Sequence, residues 1–262
     1  YGQCKVIREY LPSTDLPALI ENYLLINTDK NPMFVEIPVI NNRLYTDPRK
    51  GVDGSYLIEM KIDRNGYFSI QPGDTLSFSA YITGYKKGQP ALVINGQQEK
   101  LKRIEAVTSW MDNLVLETPD PIIDRMFAFS KIRACESIYE TQGGPMHGPG
   151  GESYYAAIWA NDQAEYINPY FPFTGYDYGN ASALNSFKHF ARFMNNEWKP
   201  IPSSIVAEGL DIWNGVGDRG DAAMIAYGAS RYLLARASRE EAEQLWPLVT
   251  WCLEYCNHKL NK

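Results

Sequence analysis

Apolar and polar positions alternate with a period of two along much of the first 117 residues. The apolar residues of the runs 58–63 and 76–83 alternate with more polar neighbours, which is typical of strands with one buried face. Asn-Gly pairs at 65–66 and 95–96 follow apolar runs, and Asn-Gly is the preferred turn of a two-residue hairpin. The pattern predicts several short strands in an N-terminal antiparallel β-sandwich.

The period becomes helical at Asp120 and Pro121, which suit an N-cap and a first helical position. Ser238 opens a capping box before the last apolar stripe. The pattern predicts five helices in the second half, at 121–140, 162–173, 179–196, 219–236 and 239–260. A further short helix is expected at 15–22, with Asp15 as its N-cap. We therefore predict a multidomain β + α protein with a β-sandwich domain at 1–117 and a helical domain at 118–262.

Two of these helices differ in the breadth of their apolar surface. Residues 222–229 are apolar almost all round and rich in small side chains, which indicates a helix buried on most faces. The helix from 239 has one apolar stripe and should lie outside. An alternation of inner and outer helices predicts two concentric layers of α-hairpins.

The amino-acid composition favours some kinds of binding partner and argues against others. Aromatic residues make up 13% of the chain, with 18 Tyr and 6 Trp, which fits both large buried cores and stacking platforms for flat ligands. A net charge of −6 argues against nucleic acid, because phosphate binding needs a basic face. No apolar run approaches the roughly 20 residues that span a bilayer.

Neither a metal nor a cofactor is predicted. The four Cys and three His residues are scattered along the chain without the paired spacing of a zinc site. Residues 215–220 match G-x-G-x-x-G, but 203–214 is a poor strand and the region about 20 residues later is helical. Dinucleotide binding requires a strand before the glycines and an acidic residue after a second strand.

Two segments, 150–165 and 208–221, combine glycines, aromatic residues and carboxylates just before predicted inner helices. Aromatic faces stack on sugar C–H surfaces, and carboxylates accept hydrogen bonds from hydroxyls or move protons. The candidate catalytic residues are Asp162 and Asp218. The candidate substrate-binding residues are Tyr154, Tyr155, Trp159, Glu165, Glu208, Trp213, Arg219 and Asp221.

Each candidate also has a purely structural interpretation. Asp162, Asp218 and Asp221 stand where an N-cap is expected. The aromatic candidates fit a core equally well, and Arg219 fits a salt bridge. Glycoside cleavage needs one protonated and one ionised carboxyl, about 5 to 9.5 Å apart, and the sequence leaves open which pair converges.

The segments 118–121, 154–163 and 211–221 resemble those of six-hairpin (α/α)6-toroid glycosidases with an N-terminal β-sandwich, such as the bacterial α-L-rhamnosidase-like and glucoamylase-like enzymes. The resemblance covers about residues 118–262. It implies that sugar binds at the mouth of the toroid, that Trp159 and Asp162 bind substrate, and that 218–221 line the next wall.

Six hairpins need twelve helices, whereas the second half is predicted to contain five. We therefore expect an incomplete toroid from a longer enzyme, with exposed apolar faces that invite self-association. The predicted function is a fragment of a glycoside hydrolase that acts on non-reducing-end sugars by carboxylate general acid–base catalysis. Alternatives are a non-catalytic carbohydrate-binding or structural module, and a phosphorylase or lyase of the same fold. The absent initial Met and the family predict a periplasmic or secreted protein whose signal peptide has been removed.

The mass of the protein made by its natural host tests the expectation of a longer enzyme. We expect more than twice the 29.7 kDa of this chain, because a longer enzyme would contain the remaining hairpins. Intact mass spectrometry of the native protein measures it. A mass near 29.7 kDa would contradict the expectation and favour binding without hydrolysis.

Overall fold

The computed structural model describes residues 3–50, 54–148, 157–213, 215 and 217–260. The chain divides into two compact units, Tyr1–Thr108 and Ser109–Lys262. Strands and helices are both present, as expected for a mixed β plus α protein, while the domain boundary at residue 117 stays a prediction. The strands of the first unit are β1 Cys4–Pro12, β2 Ala18–Asn27, β3 Met33–Ile37, β4 Asn41–Tyr45, β5 Tyr56–Ile62, β6 Gly66–Ile70 and β7 Thr75–Lys86.

An antiparallel five-stranded sheet dominates the first unit. Its strand order is β1-β2-β7-β5-β4, and β3 and β6 form a separate antiparallel ladder. Ile37, Ile70 and Leu76 form one buried apolar cluster that the ladder and the sheet share. The predicted antiparallel sheet is confirmed, and the finer description as a β-sandwich stays a prediction.

The prediction of a short helix at 15–22 is wrong. Residues from Ala18 onward belong to β2, which is hydrogen-bonded to β1 on one side and β7 on the other. Ile20 is fully buried in this central strand. Pairing along both edges outweighs the local helix signal of Asp15, because tertiary context overrides weak local propensity.

The Asn-Gly pair at 65–66 does not make the expected hairpin. β5 and β6 flank it without pairing to each other, since β5 lies between β4 and β7 while β6 pairs with β3. Gly66 begins β6 opposite Ile37 and has φ 119°, which glycine tolerates. The turn carries the chain from one ladder to the other.

The second Asn-Gly pair, at 95–96, begins a helix that the sequence analysis missed, α1 Gly96–Asp112. The Asn95 side chain accepts a hydrogen bond from the Gln98 N–H at 3.1 Å, as an N-cap does. A Cβ at Gly96 would lie 2.2 Å from side-chain oxygens of Asn22 and Ser79. Close approach of the helix to the sheet therefore requires glycine here.

The second unit contains helices near all five predicted positions. Its elements are α2 Pro121–Glu136, β8 Ile138–Thr141, β9 Gly144–His147, β10 Ile158–Trp159, a π-helical segment Asp162–Ile167, α3 Asn168–Thr174, α4 Asp177–Ala191, β11 Ser204–Val206, a 3₁₀ turn Ala207–Gly209, β12 Asp211–Trp213, α5 Asp221–Arg236 and α6 Arg239–Lys259. The predicted caps are confirmed, because the Asp120 and Ser238 side chains cap α2 and α6. The Gly/Pro-rich stretch after α2 contains the β8–β9 hairpin, which the sequence analysis missed.

Helix α5 packs against α3, α6 and the π-helical segment. Ile225, Ala229 and Tyr232 are fully buried along it, so the expected inner character holds on most of its circumference. One stripe remains open, however, with Tyr227 54% and Leu234 82% exposed. A closed toroid is not shown, and self-association through such faces stays a prediction.

Substitution of Gly228 tests the contact between α5 and the π-helical segment. A Cβ at Gly228 would lie 2.1 Å from the Ala164 backbone oxygen. We expect Gly228→Ala to lower the free energy of unfolding by about 1–3 kcal/mol, as overpacking does, in a chemical denaturation experiment. Alanine is otherwise about 1 kcal/mol better than glycine inside a helix, so a stabilised variant would show that the close contact is absent.

Candidate functional site

A small antiparallel sheet brings the two sequence segments together. β11 is its central strand, with β10 and β12 on either side. Ser204 lies opposite Trp159 on one side and opposite Trp213 on the other. Directly opposite residues in antiparallel strands share a face, so the three side chains form one row. Residues 203–214, interpreted as a poor strand, contain two strands of three residues each with a 3₁₀ turn between them.

Trp159 and Trp213 make the direct contact between the two segments. Their ring centroids are 5.5 Å apart with an interplanar angle of 65°, the edge-to-face arrangement that aromatic pairs favour. Both side chains are half-buried, so part of each indole remains accessible. Ser204 Oγ is buried and has no hydrogen-bond partner within the described residues.

The first segment continues into the π-helical turn that carries Asp162 and Glu165. Single π turns inside helices are frequent at functional sites. Asn161 is the N-cap residue of this turn, and its side chain makes no capping hydrogen bond. Asp162 is exposed and Glu165 half-buried. N-capping therefore does not explain Asp162.

Buried polar groups lie next to this turn. Gln163 is fully buried, and its Nε2 donates to the His147 backbone oxygen at 2.8 Å. Gln163 Oε1 and His147 Nδ1 have no partner in the described ranges. Burial lowers the pKa of His147 to about 4, so its imidazole is neutral at neutral pH. Nothing in the sequence pattern shows that either His147 or Gln163 is buried.

Glu208 belongs to a strained turn. Ala207, Glu208 and Gly209 have φ values of 50°, 58° and 89°, in the left-handed region that non-glycine residues rarely adopt. The Glu208 Oε2 atom accepts a hydrogen bond from the Gln142 N–H at 2.9 Å. One oxygen of this candidate therefore anchors the β8–β9 turn.

His189 on α4 contacts the β8–β9 turn, and Arg192 at the end of α4 contacts the strained turn of Glu208. His189 Nε2 lies 2.8 Å from the Gly143 oxygen, and its Nδ1 lies 3.0 Å from Arg192 Nη1. Arg192 also donates to the Gly209 oxygen at 2.9 Å. Because the guanidinium only donates, Nδ1 accepts and Nε2 carries the proton. Burial lowers the pKa of His189, in agreement with this neutral form.

Asp218 and Asp221 flank the start of α5 in very different environments. Asp218 is exposed, and its Oδ1 accepts the Gly220 N–H at 2.9 Å while its Oδ2 accepts the Tyr255 hydroxyl. Asp221 is 1% exposed. Its Oδ1 has no partner within the described part of the chain, and its Oδ2 lies 3.5 Å from the Arg219 N–H.

The N-cap of α5 is Gly220, without a side-chain capping bond. The capping interpretation of the two aspartates therefore fails. Burial raises the pKa of Asp221, because an isolated carboxylate is costly away from water. Arg219 is exposed, and its backbone N–H and its charge both lower the pKa of Asp221 against the larger effect of burial.

The structure brings Trp159 to Trp213 and places Asp218 beside Asp221, but it leaves other candidates apart. No hydrogen bond joins Asp162 to Asp218 in the ranges described, so this catalytic pair stays a prediction. Tyr154 and Tyr155 lie outside the described residues. Among the residues described, no group of three or more His, Cys, Asp or Glu side chains could hold a metal ion, and no helix is long and apolar enough to cross a membrane.

An open cleft of about 450 Å³ lies to one side of these residues. Of the predicted site residues that the structure describes, Glu165 alone lines it. The other lining residues are Ser130, Ala134, Tyr166, Ile167, Pro169, Tyr170, Phe173 and Arg231. The aromatic pair and the two aspartates of the second segment do not line this cleft, so we place the candidate site at the three-stranded sheet.

Comparison with known proteins shows a likeness of fold. No family model matches the chain, and no curated protein matches it. A putative kojibiose phosphorylase from the human microbiome has a similar structure, with 9% identity and a TM-score of 0.55 over 88% of this chain and 39% of that chain. A bacterial glucoamylase complexed with acarbose matches at 8% identity and a TM-score of 0.34, over 96% of this chain and 54% of that one.

The first likeness shows that the chain shares a fold with part of that protein, and it shows the fold alone. The second is too distant to carry an argument. The chain spans about two fifths of the phosphorylase that it matches.

The buried carboxyl of Asp221 predicts a pH-dependent stability. Burial raises the pKa of Asp221 in the folded protein, whereas an unfolded Asp has a pKa near 4. Between these two pKa values, the carboxyl of Asp221 keeps its proton in the native state and releases it in the unfolded state. Its contribution is fully present below about pH 4 and is lost as the pH rises through the folded-state pKa. We expect Asp221→Asn to remove this component, so the wild type should lose stability relative to the variant across that window.

Denaturant unfolding of both proteins at several pH values measures this difference. Asp211→Asn is the matched control, because Asp211 is an exposed carboxylate. A stability difference between wild type and Asp221→Asn that is constant with pH would contradict the prediction.

Proposed function

We propose that this chain is the sugar-binding part of a carbohydrate-active enzyme that cleaves a glycosidic bond at the non-reducing end of an oligosaccharide or polysaccharide. The observation that carries the proposal is the contact of Trp159 with Trp213. It joins the segment that holds Asp162 to the segment that holds Asp218 and Asp221. Aromatic faces and carboxyl groups together are the chemistry that a sugar requires.

The environments of the carboxyl groups support a division of roles. Glycosidases keep one carboxyl protonated and another ionised, and environments that differ in burial separate the two pKa values. Asp221 is buried with a raised pKa, so it can hold the proton that a leaving oxygen needs. Asp162 and Asp218 are exposed and are the candidates for the second carboxyl group.

Phosphate-dependent cleavage is the second candidate reaction. The observation that favours it is the fold likeness to a protein described as a putative kojibiose phosphorylase. A phosphorylase and a hydrolase differ in the group that attacks the sugar, phosphate or water. The presence or absence of phosphate in the assay therefore separates them.

Sugar binding by the 262-residue chain tests the proposal directly. We expect oligosaccharides to quench or shift the tryptophan fluorescence, with Trp213→Ala weakening the affinity about tenfold because a stacking surface is lost. Trp246→Ala is the matched control, since Trp246 is 64% exposed on α6 and belongs to neither segment. Circular dichroism establishes that both variants fold.

Two results would contradict sugar binding at this site. One is a wild-type chain that binds none of a broad panel of oligosaccharides, and the other is an equal loss in Trp246→Ala. Turnover is measured on the protein as its host makes it, with aryl glycosides and oligosaccharides, with and without phosphate. Affinity without any turnover would favour the non-catalytic binding module.

A further inference from the structure

A tyrosine far along the chain contacts the candidate site. Tyr255 lies on α6 and is 3% exposed, and its hydroxyl donates to Asp218 Oδ2. The other oxygen of Asp218 accepts the Gly220 N–H at 2.9 Å. Both oxygens of this carboxylate therefore have a donor, one from its own loop and one from a helix that begins beyond α5.

The phenol is a dependable donor in this position. Burial, followed by the hydrogen bond to Asp218, raises the pKa of Tyr255. It therefore keeps its proton throughout the neutral range. Lys259 Nζ lies over the ring, 5.1 Å from its centroid.

The ring of Tyr255 is held in place by stacked aromatic neighbours. Its centroid lies 5.3 Å from that of Trp251 at 21°, and Trp251 stacks in turn on Trp198 at 5.6 Å and 25°. Trp251 Nε1 donates to the Asn195 oxygen at 2.9 Å. A side chain locked by packing and a second hydrogen bond positions its polar atom more sharply than a loop can.

Apart from the contact with Tyr255, the hydrogen bonds described for the loop 217–220 come from its own residues and from the start of α5. Residues 217–220 are exposed, and Gly217 and Gly220 have φ values of 67° and 88°. Glycine adopts many backbone conformations at low cost, so a loop with two of them needs an external contact to stay in one. This loop ends at Asp221, the buried first residue of α5.

We propose that Tyr255 is a positioning residue that holds Asp218, and with it the loop 217–220, in the conformation that presents Asp218 and Arg219 to a bound sugar. The inference rests on the proposed function. Tyr255 is buried and does not itself contact the sugar; it acts through the carboxylate of Asp218.

Tyr255→Phe is the informative variant, because it deletes the hydroxyl and keeps the stacked ring. Tyr232→Phe is the matched control: Tyr232 is equally buried, and its hydroxyl donates to the Asn180 oxygen at 3.2 Å, away from the loop. Each variant removes one hydroxyl from a buried ring, so the comparison separates the loss of the contact with Asp218 from the loss of a phenol hydroxyl elsewhere. Only Tyr255→Phe should affect the loop.

Amide hydrogen exchange gives a readout that does not depend on sugar. In Tyr255→Phe we expect the Gly220 N–H, which Asp218 accepts, to exchange about tenfold faster, with the amides in the middle of α6 unchanged. In Tyr232→Phe the loop should exchange as in the wild type. Sugar affinity, measured by tryptophan fluorescence, should fall about threefold to tenfold in Tyr255→Phe alone.

A double substitution tests whether Tyr255 acts through Asp218. Asp218→Asn in the Tyr255→Phe background should weaken sugar binding no further than Asp218→Asn alone, since the tyrosine acts through this carboxylate. Additive losses would overturn the proposal. Unchanged exchange at Gly220, or faster exchange with full sugar affinity, would overturn it as well. A wild type that binds no sugar defeats the proposed function, whereas the exchange comparison still decides whether Tyr255 holds the loop.

Discussion

The candidate site depends on the pairing of three very short strands. β11 holds β10 on one edge and β12 on the other, and this alone sets Trp159 against Trp213 although 54 positions separate them. Ser204, between them, is fully buried in the ladder. Because each outer strand has only two or three residues, its position depends on its neighbours. The π-helical segment continues β10, and the strained turn of Glu208 leads into β12.

A second feature of the site is a set of buried polar atoms that have no hydrogen-bond partner among the described residues. The Asp221 Oδ1, Gln163 Oε1, His147 Nδ1 and Ser204 Oγ atoms have none among the residues described. Each such group costs free energy, and native proteins contain few of them. Their concentration next to the two segments, together with the raised pKa of Asp221, is typical of functional sites. Two of the hydrogen bonds that are made, Tyr255 to Asp218 and Gln142 to Glu208, come from elements outside both segments.

The sequence predictions succeeded for elements that are specified by residues close together in the chain and failed for elements that depend on distant contacts. The helices α2 and α6 begin where Asp120 and Ser238 predict, since a cap and an apolar stripe act within a few residues. The helix expected near Asp15 failed because both edges of β2 are paired with distant strands. The Asn-Gly pairs failed for a related reason. An Asn side chain caps a helix as readily as it occupies a turn, and the packing of Gly96 against Asn22 and Ser79 decided between the two.

By itself, the sequence determined the strand pattern of much of the first part, the helical periodicity of the second and the residue types that could act on a sugar, because these depend on composition and on spacing along the chain. It did not determine which of those residues meet. The tertiary structure decided that Trp159 contacts Trp213, that Asp221 is buried while Asp162 is exposed, and that a tyrosine of the last helix binds Asp218. These facts depend on long-range pairing and burial, which change the pKa and the hydrogen-bond partners of a side chain without leaving a mark on its neighbours in the sequence.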